Sequence, residues 1–194
     1  MTVSAVSICS NALLRLGDKP IASFTESDVR ATRCANLWPD VRDDILRAKP
    51  WTCARKRVLL APLADSTPAF GYAYAFQKPA DWLRTIQVGY NGEVTDFADE
   101  SGQIMANVTA LPLIYTWRNE NPALWDAALV NVMTAAMCAQ LAYPVTQSAS
   151  VESNKLAILE QALRRAGALS GQDDGPDSLG DFDLIASRFA GRAR

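Results

Sequence analysis

The stretch from Asp28 to Trp51 constrains the fold most, because it carries an apolar stripe long enough for one full-length helix. Its apolar residues recur every three or four positions, which places them on one helix face. They are Ala31, Cys34, Ala35, Trp38, Val41, Ile45 and Ala48. Thr25 and Asp28 have the spacing of a capping box, and Pro50 favours a helix end just before it. The sequence predicts a helix that ends at a helix–sheet junction formed by Pro50 and Trp51.

Pro39 lies inside this stretch and leaves two interpretations open. A proline within a helix removes one hydrogen bond and costs about 3 kcal/mol unless the helix kinks there. In the first interpretation a single kinked helix continues, because the apolar stripe stays in phase across Pro39. In the second, Pro39 begins a new helix whose first turn carries Asp40, Asp43 and Asp44. We favour the single helix.

Composition excludes several classes of function. The 194 residues are 49% hydrophobic and 21% charged, with a net charge of -2 and no histidine. This balance gives no reason to expect nucleic-acid affinity, and the missing histidine removes the usual general base and the commonest zinc ligand. The four cysteines have no Cys-x-x-Cys pairing, so we expect buried thiols in a reducing compartment and no cofactor.

No signal peptide is expected, because a basic start followed by an apolar run is missing. The most apolar segment, 123–143, is interrupted by Asp126, Asn131 and Gln140, so we expect no membrane span. The sequence predicts a protein that is soluble and intracellular when made.

Three further segments have helical spacing. The first runs from Ser4 to Leu16, with Gly17 placed to end it in the left-handed conformation. Another begins at Asn121-Pro122 and ends before Pro144, and its alanine-rich surface predicts burial within its own bundle or against a neighbouring subunit. The last covers about 150–168.

Between the helices the spacing changes to a period of two, which predicts strands. Aromatic residues alternate over 70–76, with every aromatic on one face, and 83–90 and 111–117 read as further strands. Asn91-Gly92 is a strong hairpin signal, and Glu100-Ser101-Gly102 predicts another turn. Together these patterns predict an antiparallel meander of about five strands.

The predicted fold is therefore α+β, a bundle of about four α-helices with an inserted antiparallel β-sheet domain and an extended C-terminal tail. The bundle comprises 1–52 and 120–169, the β-domain comprises 53–119, and the tail comprises 170–194. The tail begins with a linker-like composition and then regains large apolar residues. These candidate docking residues are Phe182, Leu184, Ile185, Arg188 and Phe189. They predict either docking on a partner or folding back on the chain's own bundle.

Charge is unevenly distributed along the chain. No lysine or arginine occurs between Arg84 and Arg118, a gap that contains the acidic candidates Glu93, Asp96, Asp99 and Glu100. A basic cluster surrounds Trp51, and its interpretation as a solvated helix–sheet boundary is favoured over a phosphate or partner contact. Paired carboxylates can hydrolyse glycosides, but one acid must then have a raised pKa in a pocket, and hairpin and helix-surface acids are usually solvated.

Several motifs together resemble one known family. They are Ala12-Leu13-Leu14-Arg15-Leu16-Gly17, Pro20-Ile21, Leu37-Trp38, Val41-Arg42-Asp43, Pro50-Trp51 with Ala54, and Pro79-x-Asp81-x-Leu83-Arg84. They resemble the tail tubular protein A family, the head-to-tail adaptors of short-tailed phages. The resemblance is clear over about the first 55 residues and weak after about residue 145. Its motifs are structural and carry no catalytic signature.

The resemblance implies a structural virion protein with no enzymatic activity, made in the host cytoplasm and located at the neck between capsid and tail. It implies a homo-oligomeric ring of twelve copies that joins the portal protein to the tail nozzle protein. DNA would pass through this ring without specific binding, and the acidic candidates of the β-domain would suit that passage, because they repel phosphate groups. The tail candidates would then dock on the portal, and the acidic candidates would face the channel or nozzle.

Two other classes of function compete with this one. The first is a tail-associated cell-wall hydrolase using paired carboxylates, for which Asp43 and Asp99 are the residues to test. The second is a small DNA-binding regulator, which requires a basic helix, and the acidic pI of about 5.2 argues against it.

Overall fold

The computed structural model describes residues 3–90 and 96–173, without the side chains of 169–173. Within these ranges it has four α-helices and two antiparallel sheets, which confirms the predicted α+β class. The helices are α1 (Ala5–Leu14), α2 (Val29–Ala48), α3 (Ala127–Thr146) and α4 (Ala149–Asp173). The strands are β1 (Arg55–Leu60), β2 (Tyr74–Gln77), β3 (Trp82–Val88), β4 (Phe97–Glu100), β5 (Gln103–Ala106) and β6 (Leu111–Trp117). Short 3-10 helices span Thr52–Ala54 and Pro122–Leu124.

Capping residues begin α1 and α2, though not as the spacing predicted. The Asp28 side chain caps α2 by accepting a hydrogen bond from the Arg30 backbone N–H at 2.7 Å. The predicted capping box from Thr25 is wrong, because Thr25 lies in the turn before the helix and its N–H bonds to the Ser23 hydroxyl. A reciprocal capping box occurs instead at α1, between Ser4 and Ser7.

The single-helix interpretation of α2 is confirmed, since the helix continues through Pro39 to Ala48. Pro39 is exposed, whereas Trp38 and Val41 beside it are buried. The apolar stripe therefore packs on both sides of the proline, and this burial outweighs the one missing hydrogen bond.

The start and end predicted for α3 are both wrong. Asn121-Pro122 begins a separate 3-10 turn, and α3 starts only after Asp126, whose carboxylate accepts from the Leu129 N–H at 2.6 Å. Pro144 lies inside the last turn rather than beyond it. A proline there leaves the earlier turns bonded, and Gln147 ends the helix with a left-handed φ of 52°.

The bundle is organised around α3, which contacts α1, α2 and α4. Of its alanine-rich surface, Ala135 and Ala139 are buried within the bundle, whereas Ala127 is exposed. The length of this helix and its mean hydropathy of 1.4 would allow it to span a membrane, yet 61% of the 18-residue stretch with this hydropathy is buried inside the protein. Core helices of water-soluble bundles have the same properties.

The predicted five-strand meander is wrong, because the strands form two three-stranded sheets. The first has the order β1-β6-β3 and the second has the order β2-β5-β4. Strands far apart in sequence pair with one another, and local alternation carries no information about such partners. The turn at Glu100-Ser101-Gly102 is confirmed: Ser101 and Gly102 have φ of 50° and 80° and join β4 to β5.

The predicted aromatic strand over 70–76 is also wrong. Only Tyr74–Gln77 forms a strand, and Phe70 is 89% exposed. Phe76 is fully buried and Tyr74 is 36% exposed, so the alternating aromatics do not share one buried face. The predicted Asn91-Gly92 hairpin lies outside the described residues.

Two hydrophobic cores result. The bundle core is the larger, and the β-domain core consists of residues from both sheets, which therefore pack face to face. The β-domain core contains Phe76, Val88, Ile104, Ala106, Leu111, Leu113 and Tyr115. Trp117 packs against both cores, and α4 continues to Asp173, into residues that composition assigned to a linker.

Candidate functional site

The helix–sheet junction is formed as predicted around Trp51. Its side chain is 2% exposed, and its indole N–H donates to the Ile45 carbonyl at 2.8 Å. This bond occupies one of the last free carbonyls of α2 and fixes the direction in which the chain leaves the helix. Pro50 is exposed. The junction is therefore a structural element.

Ion pairs bind α2 to the segment that follows β6. The Asp43 carboxylate accepts from Arg42 Nε at 2.9 Å and from Arg118 Nε at 2.7 Å. Arg42 is only 8% exposed as a residue and its Nη1 lies 3.0 Å from Glu120. Each buried or half-buried charge thus has a partner, which a low-dielectric junction requires.

A second polar cluster centres on Asp81, at the start of β3. Lys56 Nζ lies 2.5 Å from this carboxylate and 3.7 Å above the Trp117 ring. The Tyr115 hydroxyl donates to Asp81 at 3.0 Å. Burial by itself raises the pKa of Asp81, but the hydrogen bonds from Lys56 and Tyr115 outweigh it and the pKa lies below its usual value. Burial and the Asp81 carboxylate raise the pKa of Tyr115 to about 12.

The acidic candidates lie together along β4, as far as the structure describes them. Asp96 precedes the strand and Glu100 ends it, and both are exposed. Asp99 forms an ion pair with Lys78, whose Nζ also lies 3.7 Å from the Trp82 ring centroid. One of the charges in this acidic region is therefore compensated within the protein. Glu93 lies outside the described residues.

The four cysteines are all free. Contact with Cys34 and burial raise the pKa of the Cys9 thiol, and burial with a nearby Asp126 carboxylate raises the pKa of Cys53 to about 11. Burial also raises the pKa of Cys138. A nucleophilic cysteine needs a lowered pKa, so the environments of these three thiols oppose that chemistry.

The carboxylates offered for glycoside hydrolysis do not form a pair across one cavity. Asp43 is held by two arginines at the bundle junction, and Asp99 is held by Lys78 on β4. Glycoside hydrolysis needs two carboxylates that flank one bond of the substrate. Among the residues that the structure describes, no group of three or more cysteine and acidic side chains is placed to hold a metal ion.

Three concave surfaces remain as candidates for binding. The inter-sheet slot, about 380 Å³, opens between the edge strands β3 and β4. It is lined by Arg47, Trp82, Arg84, Thr85, Ile86, Gln87, Val88, Phe97 and Asp99. The Leu59 patch, at the far end of the first sheet, is lined by Arg57, Val58, Leu59, Gly89, Tyr90, Pro112, Leu113 and Ile114. The α3–α4 groove is lined by Ala128, Asn131, Val132, Ile158, Gln161, Ala162, Arg165 and Ala166.

Sequence reasoning missed these surfaces. Leu59 and Tyr90 are 59% and 66% exposed, and Ile158 is 43% exposed. Val58, Leu59 and Leu60 form an unbroken apolar run, which is a local signal that β1 carries apolar side chains on both faces. The tail candidates, namely Phe182, Leu184, Ile185, Arg188 and Phe189, lie outside the described residues.

We found no match to this chain among protein-family models or curated proteins.

Proposed function

We propose that this chain is a structural head-to-tail adaptor, which forms a homo-oligomeric ring between a portal and a tail nozzle and extends the DNA channel. The single observation that carries the proposal is a pair of unlike apolar surfaces on one subunit. The Leu59 patch belongs to the β-domain, and the α3–α4 groove belongs to the bundle. A ring built from head-to-tail contacts needs two different surfaces on each copy.

Exposure of the two surfaces supports this function. Leu59 and Tyr90 line the same concavity, so their exposed apolar area is contiguous, and such areas on a folded chain mark contact sites. In the groove, Ile158 lies with three alanines, which allow another chain to approach closely; they are Ala128, Ala162 and Ala166. The resemblance of residues 12–54 to the adaptor family supports the proposed location of the ring between portal and tail nozzle.

The charge of the β-domain suits a surface near DNA. Asp96, just before β4, and Glu100, at its end, are both exposed, and carboxylates repel a phosphate backbone. A channel lined in this way lets DNA pass, because few counterions are released and little binding energy opposes the movement.

Mass measurement in solution tests the proposal. We expect the full-length chain to assemble on a portal ring with twelve copies per complex, as native mass spectrometry would report. The Leu59→Asp/Tyr90→Asp variant should reduce this assembly by tenfold or more, because it buries two charges at the contact. Phe70→Asp is the control, since Phe70 is an even more exposed apolar residue of the β-domain outside the patch. Wild-type protein that never associates with a portal ring, under any salt condition, would end the proposal.

The tail gives a second test of the same function. Removal of residues 174–194 should abolish portal binding and leave the circular dichroism spectrum of the body unchanged, because the described helices end at Asp173. Unchanged capture of the shortened protein by the portal would assign portal contact to the body alone.

A further inference from the structure

We propose that the segment Asp181–Ile185 docks into the inter-sheet slot of its own chain when the protein is free in solution. The inference concerns the isolated subunit and does not depend on the ring. It rests on the chemistry of the slot, on the pattern of the segment, and on the place where the chain leaves α4.

The lining of the slot combines apolar side chains, two arginines and the Asp99 carboxylate, which is paired with Lys78 and so leaves the lining with an excess of positive charge. Trp82, Ile86 and Phe97 line it and are all partly exposed. Arg47 and Arg84 stand at the rim and are exposed, and Arg84 Nη1 donates to the Arg47 carbonyl at 3.3 Å. Among the described residues, neither arginine has a carboxylate partner. Two guanidinium groups beside apolar rings fit an extended peptide that carries both apolar and acidic side chains.

The C-terminal segment has this composition. In Asp181-Phe182-Asp183-Leu184-Ile185, acidic and apolar residues alternate before Ile185. In an extended conformation Phe182 and Leu184 point to one side, and both aspartates point to the other. From Asp173 to Asp183 the chain carries five aspartates and no lysine or arginine, so its charge is complementary to the rim.

Contacts hold α4 against the C-terminus of α2, which contributes Arg47 to the slot. Lys49, which caps the C-terminus of α2, donates from Nζ to the Leu163 carbonyl, and a Cβ on Gly167 would collide with the same nitrogen. Arg47 lies two positions before Lys49. From Gly167 to Asp173 the helix advances about 9 Å. Residues 174–180 add at most about 23 Å, a span over which a chain can reverse its direction.

The two edge strands explain why the slot stays open within the described residues. β3 and β4 are each paired on one side only, and β3 carries register shifts between Trp82 and Arg84 and between Thr85 and Gln87. Such irregularities protect an edge from pairing with foreign strands. The slot therefore binds an occupant through side chains and not by strand pairing. The segment Asp181–Ile185 belongs to the same chain, so its effective concentration at the slot is high.

Hydrogen–deuterium exchange on the full-length protein tests the proposal. In wild type we expect amides of 181–185 to exchange at least tenfold more slowly than an unstructured peptide. Arg47→Glu/Arg84→Glu should remove this protection, and the further changes Asp181→Lys/Asp183→Lys should restore it. Arg164→Glu is the matched control, because Arg164 is exposed on α4 and forms an ion pair with Glu160 there. It should leave the protection unchanged.

Two more measurements keep the test decisive. Phe182→Ser leaves the slot intact, so loss of protection in this variant cannot come from a misfolded β-domain. Protection must also be independent of protein concentration, because a concentration-dependent effect would assign the segment to a second copy. Exchange of 181–185 at the unstructured rate in wild type would overturn the proposal. Protection that survives the double arginine change would also overturn it.

Discussion

The helical bundle and the β-domain differ in how their cores are assembled. In the bundle, one helix buried on several sides, α3, contacts the three others and makes the core continuous. In the β-domain, two short sheets enclose only seven fully buried side chains, and ion pairs at Lys56 and Lys78 bridge the elements around them. A large continuous core resists local opening more than a small one. The comparison teaches that the bundle supplies the larger core, while the β-domain carries two of the three concave candidate surfaces.

The largest expected effect comes from the residue that joins the two regions. Trp51→Ala should lower the free energy of unfolding by about 3–5 kcal/mol, because it empties a buried site and leaves the Ile45 carbonyl without its donor. Urea titration followed by far-ultraviolet circular dichroism measures this change. An unchanged midpoint would mean that the junction contributes nothing to stability and that the two regions are independent.

A deletion inside the β-domain core should have a more local effect. Ile104→Ala should cost about 2–5 kcal/mol, since Ile104 is fully buried between the sheets. We expect faster amide exchange in β2 to β6, with little change in α3. The matched variant is Met137→Ala, also fully buried, which should accelerate exchange throughout the bundle. If Ile104→Ala accelerates exchange equally in α3, the two cores unfold as one unit.

A polar contact at the boundary between the bundle and the β-domain should make the stability of the protein depend on pH. Asp81→Asn should cost about 1 kcal/mol at pH 7, a modest value because Asp81 and Lys56 are both partly exposed. The folded-state pKa of Asp81 is lowered, so its contribution is present above the unfolded-state pKa of about 3.9 and is lost as pH falls. Melting curves of wild type and variant should therefore converge as the pH falls through the lowered folded-state pKa of Asp81. Asp65→Asn, at an exposed carboxylate of the β-domain, is the control. A gap that persists in acid would mean that packing, not charge, holds Asp81.

The smallest effect is expected at the most exposed aromatic residue. Phe70→Ala should change stability by no more than about 0.5 kcal/mol, since its ring is 89% exposed. Differential scanning calorimetry checks this. A loss above 1 kcal/mol would show that Phe70 contacts something in solution and would extend the interaction surface of the β-domain.

The site was less predictable than the helices. Burial of Trp51 followed from its place after a helix stop and before an alternating run. The ion pairs of Asp43 could not be predicted in this way, because Arg118 and Asp43 are remote in sequence and meet only after β6 packs near α2. The slot, the Leu59 patch and the α3–α4 groove likewise require elements whose adjacency no local pattern records.

The amino-acid sequence by itself determined that four segments are helical and that Trp38, Val41 and Ile45 of α2 lie on a buried face, because helical spacing is local and recurs every three or four residues. It also determined the turn at Ser101-Gly102, where the backbone must take positive φ. Only the tertiary structure decided that β1 pairs with β6 and β2 with β5, since alternation indicates a strand without indicating its partner. The tertiary structure also decided that α3, not α2, is the centre of the bundle. An all-apolar helix surface indicates that the helix is buried, but only the packed structure shows which elements cover it.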